Sequence, residues 1–317
     1  MTLFLRDEDV IQCVSMDDML EAIETMQRHY GHGEASNLTR RHVIAKEGIL
    51  AVMGGGLFYQ GLLGVKTYTG VKGIYRFHVS LYDTDTGKLL CYAQANRLGQ
   101  LRTGATSGVA VKYLANPDAA TLGIIGTGYQ ARTQLEAVSK VRNLRQVKVY
   151  SRTQERREAF AETMARELRI DVVPTSSNRE AVEESDIVVA IAATMEPVVQ
   201  ADWLNEGSTV IGAGQTTWRS REVDEATLVR ASKIFVDSLE QAHEEAGEIA
   251  SAADQGLLQW NQIWELRHAV AGIVPGRDSK DQIVYAKLMG TGVADVAAAK
   301  LAYDRATAAG LGVEMEW

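Results

Sequence analysis

The sequence predicts an α/β protein, with a Rossmann-type parallel sheet domain and an α+β domain for substrate binding and dimerisation. From about residue 119 short apolar runs alternate with helical patterns, the rhythm of a parallel sheet with right-handed crossovers. The apolar run "ATLGIIG" (120–126) leads straight into a glycine turn, "GTGYQA" (126–131), and a helix. The first third lacks that alternation and offers strand-like runs, one helix and a hairpin.

In order, "MDDMLEAIETMQRHYGHG" places Met19, Ala22, Ile23, Met26 and Tyr30 at helical spacing, with Asp17 and Asp18 near its start and Gly31 at its end. "RRHVIAKEG", "ILAVMGGGL" and "LLGVKTYTG" read as strands. "YRFHVSLYDTDTGKLLCYAQA" reads as two alternating strands across Asp-Thr-Asp-Thr-Gly. A helix, "LRTGATSGVAVKYLA", leads out of this region. Beyond the glycine turn come helix "YQARTQLEAVSKV", strand "QVKVYSR", helix "QERREAFAETMAREL", strand "DVVPTS", helix "NREAVEESD" and strand "IVVAIA". "STVIGAG" and "SKIFVDS" are two further strands with helical "DEATLVRA" between them. A long helix, "GVADVAAAKLAYDRATAAG", closes the chain with no strand expected after it. The expected domains are residues 1–115 with 291–317, and residues 116–290.

Composition narrows the function classes. With 317 residues, 46% hydrophobic and 23% charged, the chain has room for two cores. A net charge of −8 argues against a nucleic-acid backbone as the main partner. Two cysteines, Cys13 and Cys91, are too few for a disulfide framework or a zinc ribbon. The opening "MTLFLRDEDV" has no apolar signal core, and no run reaches the ~18 apolar residues of a membrane span. The expectation is a cytoplasmic protein that uses neither membrane nor nucleic acid. His42, His78 and His243 show no metal-ligand spacing, and no metal is expected.

Gly126, Gly128 and Ala131 form G-x-G-x-x-A between a strand and a helix. The first glycine permits the tight turn, the second lets backbone approach a pyrophosphate, and the small third residue lets helix and strand pack closely. The helix N-terminus then offers N–H groups to phosphate. Thr127, Tyr129 and Gln130 within the turn, and Ala193 and Gly214 at later strand ends, complete the expected dinucleotide site. About 20 residues on, where an acid ordinarily holds the ribose 2′-hydroxyl, the strand ends in Ser151, Arg152 and Thr153, with Arg156 close behind. Hydroxyls and guanidinium suit a 2′-phosphate that a carboxylate would repel. NADP(H) is favoured, with NAD(H) possible.

With these pieces in place the chain resembles the ornithine cyclodeaminase/μ-crystallin family along essentially its whole length. The resemblance rests on Lys66 in "GVKTYTG", on "LGQLRTGATSGVAVKYLA", "IIGTGYQA", "GSTVIGAGQ" and "VDSLEQAHEEAGEI", and on the closing "MGTGVADVAAAKLAY". It implies cyclodeaminase, amino-acid dehydrogenase or imine reductase chemistry, and a homodimer formed through the non-Rossmann domain. Arg41 falls at the family's substrate-carboxylate position, Lys66 at its active-site lysine, and Arg102 with Thr103 at its Arg-Thr element near substrate and pyrophosphate. Such cations clamp an α-carboxylate, and a desolvated lysine among arginines delivers a proton from a lowered pKa. Met53, Tyr68, Tyr75 and His78 are further pocket candidates, and "HEEAGE" is expected to contact the cofactor cleft.

One departure bears on the reaction. Where cyclodeaminases carry an aspartate, "GAGQTTWRSREVD" aligns Thr216. Threonine is no base near neutral pH, so cyclisation is disfavoured and Thr216 is left to hydrogen-bond an imine nitrogen or a water. The leading expectation is an NAD(P)H-dependent reductase of a carboxylate-bearing imine, acting on a small molecule. Two alternatives stay open: a redox-neutral ornithine or lysine cyclodeaminase with bound NAD+, and an NADPH-binding protein without turnover.

Overall fold

A computed structural model describes residues 1–316. It divides into two compact units, residues 1–106 with the C-terminal stretch from Gly290, and residues 107–289.

The chain begins with strand β1 (Thr2–Leu5) and helices α1 (Asp7–Cys13) and α2 (Met16–Gly31). Ser15 caps α2, accepting from the Asp18 N–H, and the helix buries Met19, Leu20, Ile23, Met26 and Tyr30 along one stripe. Strands β2 (Ala35–Ile44), β3 (Gly48–Leu57), β4 (Leu62–Val71), β5 (Ile74–Asp83) and β6 (Leu89–Gln94) follow as an antiparallel run. Helix α3 (Asn96–Leu114) starts a full turn before its apolar pattern. Asp7 supplies the reason: its carboxylate accepts from the Arg97 N–H at 2.8 Å and from the Asn96 side chain at 2.7 Å. A cap delivered from some ninety residues away leaves no local signal.

The second unit holds β7 (Thr121–Ile125), α4 (Tyr129–Val141), β8 (Gln146–Tyr150), α5 (Gln154–Leu168), β9 (Asp171–Pro174), α6 (Asn178–Val182) and β10 (Ile187–Ala190). It continues with β11 (Thr209–Gly212), α7 (Glu225–Arg230), β12 (Lys233–Val236), α8 (Leu239–Glu245) and α9 (Gly247–Asp254). The last elements are β13 (Ile263–Glu265), α10 (Leu266–Val270) and β14 (Val284–Lys287). All eight strands pair in parallel, in the order β13-β12-β14-β11-β10-β7-β8-β9. Both β10 and β11 are buried at every position, and β10 reads as an unbroken apolar run, as expected of a parallel strand covered on both faces. The expected Rossmann-type sheet is present, with β13 and β14 in addition. β14 lies centrally, yet ends in a lysine that a linear reading assigns to the surface.

The chain ends in the first unit with α11 (Gly292–Ala309) and β15 (Val313–Met315). β15 pairs antiparallel with β1 and corrects the expectation of no strand after the last helix. Its three residues are exposed and carry no periodicity, so only the pairing defines it. The first sheet therefore runs β15-β1-β6-β5-β4-β3-β2, with β1 and β6 parallel. Helix α11 lies directly on its backbone: a Cβ on Gly55 would fall 2.6 Å from the Val293 Cα, and one on Gly64 2.7 Å from Val296. The "MGGG" run in β3 is thus a helix seat, and the approach sets the first turn of α11 beside Lys66. Among the described residues no helix is long and apolar enough to cross a membrane, and no cluster of His, Cys, Asp and Glu is arranged to hold a metal.

Candidate active site

Two groups of residues carry chemistry, one in each unit. In the second unit β7 ends at Ile125 and turns at Gly126, whose φ is +111°. A side chain there would be strained and would also meet Ile191 and Ala192 backbone at 2.9 Å. Gly128 sits at the N-cap of α4, and a Cβ on it would meet nothing within 4 Å. That open space belongs to a cleft of about 760 Å³. Thr127, Tyr129, Gln130, Ser151, Arg152, Thr153, Arg156, Ala193 and Gly214 all line it. Ala131 lies beneath, fully buried, where its small size permits the turn. Thr103 belongs to the first unit, where its hydroxyl donates to the Gly99 carbonyl at 2.8 Å.

The cleft fits a dinucleotide on its own features. Backbone N–H groups at a helix start face open space, and buried side-chain oxygens of Gln130 and Asn178, both cleft residues, have no partner among the described residues. At the strand tip Thr127 donates its hydroxyl to Ser151 Oγ at 2.9 Å. Arg157 donates to the Ser151 carbonyl at 3.0 Å and lies over the Tyr150 ring, whereas Arg152 and Arg156 line the cleft.

The first unit assembles cations. Lys66, on β4, is buried and donates to Asp295 Oδ1 at 2.9 Å. Arg102, on α3, donates its Nε–H to the same oxygen at 2.8 Å. The second oxygen of Asp295 has no hydrogen-bond partner among the described residues, although the residue is fully buried. Gly290, with φ +83°, sits against the Arg102 guanidinium, where a Cβ would be 2.6 Å from Nη1, and its carbonyl accepts from Arg40 at 3.4 Å. Burial brings Lys66 down to about 8, aided by Arg102 and Arg40 and opposed by Asp295. For Asp295, burial alone would raise the carboxyl, but Arg102 and Lys66 reverse this and hold it below the usual carboxylate range.

The arginine that joins them is Arg40, whereas the expected Arg41 is set apart from them. The β2–β3 ladder pairs Leu38 with Gly54 and Arg41 with Val52, so Thr39 and Arg40 together oppose Met53. This bulge shifts the alternation by one residue. Arg40 therefore shares the buried face with Lys66, and Arg41 is exposed on the other. His78, register partner of Thr67 and stacked on Tyr92, also lies on that other face. Thr216 lies in the loop after β11, half-buried and not among the cleft residues.

A third cluster escaped notice in the sequence. Lys287 at the end of β14 is fully buried between Glu222, which it contacts closely, and Glu248, 3.1 Å away. Tyr285 donates to Glu248 at 2.6 Å, and Glu222 accepts the Gly214 N–H at 2.6 Å. Burial raises Glu222 to about 7, with Lys287 opposing and Glu248 adding to the rise. Burial would lower Lys287, but the two carboxylates raise it overall. Glu248, the last residue of "HEEAGE", thus turns into the core and is not a cleft residue, while His243 stacks on Trp260.

The model of the ornithine cyclodeaminase/mu-crystallin family matches residues 1–310. The chain belongs to that family. Δ1-pyrroline-2-carboxylate reductase of Bacillus cereus is 34% identical over 256 residues, 80% of this chain and 76% of that protein. The structure of Thermococcus litoralis Δ1-pyrroline-2-carboxylate reductase in complex with NADH and L-proline superposes with a TM-score of 0.94 at 34% identity, over 99% of this chain and 100% of that one. An archaeal alanine dehydrogenase dimer with bound NAD gives 0.93 at 30% identity, over 100% and 99% of the two chains. As a member of the ornithine cyclodeaminase/mu-crystallin family, the chain is thus similar to a Δ1-pyrroline-2-carboxylate reductase and to an alanine dehydrogenase.

Proposed function

We propose that this family member is an oxidoreductase that uses a nicotinamide dinucleotide to reduce the C=N bond of a carboxylate-bearing imine to an amino acid. The observation that carries the reading is the buried lysine of lowered pKa held in a cationic cluster by one acid. Arg40, Lys66 and Arg102 bring three positive charges against the single charge of Asp295, a surplus that suits a substrate carboxylate. The imine nitrogen of such a substrate, two bonds from its carboxylate carbon, then comes within reach of Lys66 Nζ, which gives up a proton readily from a pKa of about 8. Asp295 keeps that ammonium charged and fixed in direction.

The bound dinucleotide would supply the hydride. Its pyrophosphate would rest on the Gly126–Gln130 turn. For the adenosine end we favour a 2′-phosphate, with Ser151, Arg152, Thr153 and Arg156 as its partners. The absence of a carboxylate among those four supports NADP(H), although the two solved relatives hold NADH and NAD. We also favour a homodimer in the cytoplasm.

The test is direct. Purified protein with NADPH or NADH is offered cyclic and alkylamine-derived imines of 2-oxo acids, and oxidation of the cofactor is followed. Cofactor oxidation that depends on the imine supports the reading. Ammonia release from ornithine or lysine without net cofactor turnover would show a cyclodeaminase. Cofactor binding without any turnover would show a binding protein.

A further inference from the structure

The face of the first sheet that carries Lys66 continues past the cations, and cross-strand register defines its rows. Gly55, Gly64 and Leu81 form one row, then Met53, Lys66 and Val79, then Ala51, Tyr68 and Phe77, then Ile49, Gly70 and Tyr75. The period of two places all of them on one face. Val293 and Val296 of α11 cover the first row, and Asp295 reaches the second. The next two rows are aromatic. Tyr68 and Phe77 have ring centroids 5.0 Å apart, and Tyr75 stacks on Phe77 at 6.1 Å with 17° between planes. Tyr75 lies across Gly70, where a Cβ would fall 2.5 Å from its ring. Lys66 Nζ stands 5.2 Å from the Phe77 centroid, so the floor begins where the cations end.

These two rows carry no carboxylate and no further lysine or arginine. Arg76 pairs with Thr69 and belongs to the opposite face. His42, partner of Ala51, and Ile44, partner of Ile49, extend the rows from β2.

We infer that Tyr68, Phe77 and Tyr75 form a specificity floor that selects imines with an apolar ring, alkyl or aryl body over those with a second carboxylate. The inference rests on the imine-reductase reading and names its substrate class. Once the α-carboxylate is held at Arg40, Lys66 and Arg102, the body attached to the α-carbon lies over Phe77 and Tyr68. An apolar body gains contact area there. A second carboxylate loses water against the negative faces of the rings and finds no lysine or arginine on these rows to replace it.

The experiment measures kcat/KM for three imines: a cyclic imino acid, the imine of an aryl-substituted 2-oxo acid, and the imine of a 2-oxo diacid. Wild type is compared with Phe77→Ala and with Phe77→Leu, which keeps apolar bulk. The expected result is that wild type prefers the first two. Phe77→Ala should lower kcat/KM for them by roughly tenfold or more with little change for the diacid, and Phe77→Leu should restore part of the loss. A wild type that prefers the diacid, or a Phe77→Ala variant that loses all three equally, overturns the inference. If wild type reduces no imine, the parent reading fails instead, and calorimetric binding of benzoate against succinate tests the floor alone. Benzoate bound more tightly, with that preference lost in Phe77→Ala, keeps the floor; equal affinities remove it.

Discussion

Replacing Asp295 with asparagine removes the one negative charge from the cation cluster while keeping the side chain's shape and one acceptor oxygen. In the native cluster Oδ1 lies 2.9 Å from Lys66 Nζ and 2.8 Å from Arg102 Nε. With an effective dielectric of about 20, each contact represents about 6 kcal/mol of gross Coulomb attraction. One pKa unit corresponds to about 1.4 kcal/mol, so even a quarter of the Lys66 contact is worth about one unit. The carboxylate favours the charged ammonium, and its loss must lower the lysine further. Lys66 acts as a proton donor only while protonated, so reductive kcat/KM should fall as pH rises through about 8 in the wild type. In Asp295→Asn that descending limb should move down by at least about one pH unit, because kcat/KM reports the free enzyme. The assay is a pH series of imine reduction, with urea unfolding measured in parallel to show that the variant remains folded. Stability should also drop by about 3–5 kcal/mol, the usual result of leaving buried charges without their partner. A folded variant whose limb stays near 8 would refute the coupling of Asp295 to Lys66.

Other consequences follow from the same geometry. Arg40→Ala should lower kcat/KM for the imine by about 10- to 100-fold, the loss of one charged hydrogen-bonding partner, whereas Arg41→Ala should change it little; equal losses would mean that the bulge does not select between them. Arg152→Ala should weaken NADPH binding about tenfold and leave NADH binding unchanged, measured by fluorescence titration; equal wild-type affinity for both cofactors would remove the 2′-phosphate site. Lys287→Met leaves Glu222 and Glu248 facing each other without their shared cation, and should cost about 3–5 kcal/mol in urea unfolding at about pH 9, above the Glu222 pKa of about 7. A loss below about 1 kcal/mol would show that one of the two acids is already protonated there.

Much of the fold was legible because it is locally written. The strand-turn-helix at 120–141 carries its apolar run, its glycines and its helical stripe in one continuous segment. What escaped the linear reading depends on distant partners. α3 starts early because Asp7 caps it. β15 exists only through β1, and Lys287 is buried only because Glu222 and Glu248 arrive from other segments. The choice between Arg40 and Arg41 turned on a single bulge residue, which composition and periodicity do not reveal. Asp295 is the site residue with the least local signal. It lies in a small-residue helix whose hydrophobic pattern marks no polar face, so an aspartate there reads as solvent-facing until the helix is set on its glycine seat.

The location of that acid bears on the direction of the chemistry. Asp295 is committed to two cations and held below the usual carboxylate range. It therefore takes up no proton near neutral pH, and the group that exchanges protons in this pH range is Lys66. With a pKa of about 8, the lysine is roughly nine-tenths protonated at pH 7. Hydride addition to an imine carbon leaves a nitrogen that must gain a proton, which a charged lysine supplies. The reverse reaction needs the neutral lysine, whose fraction falls about tenfold for each pH unit below the pKa. On the proposed imine-reductase reading, a buried acid that stabilises the ammonium sets the lysine to favour reduction at neutral pH and oxidation above about 8, with no base required of Thr216.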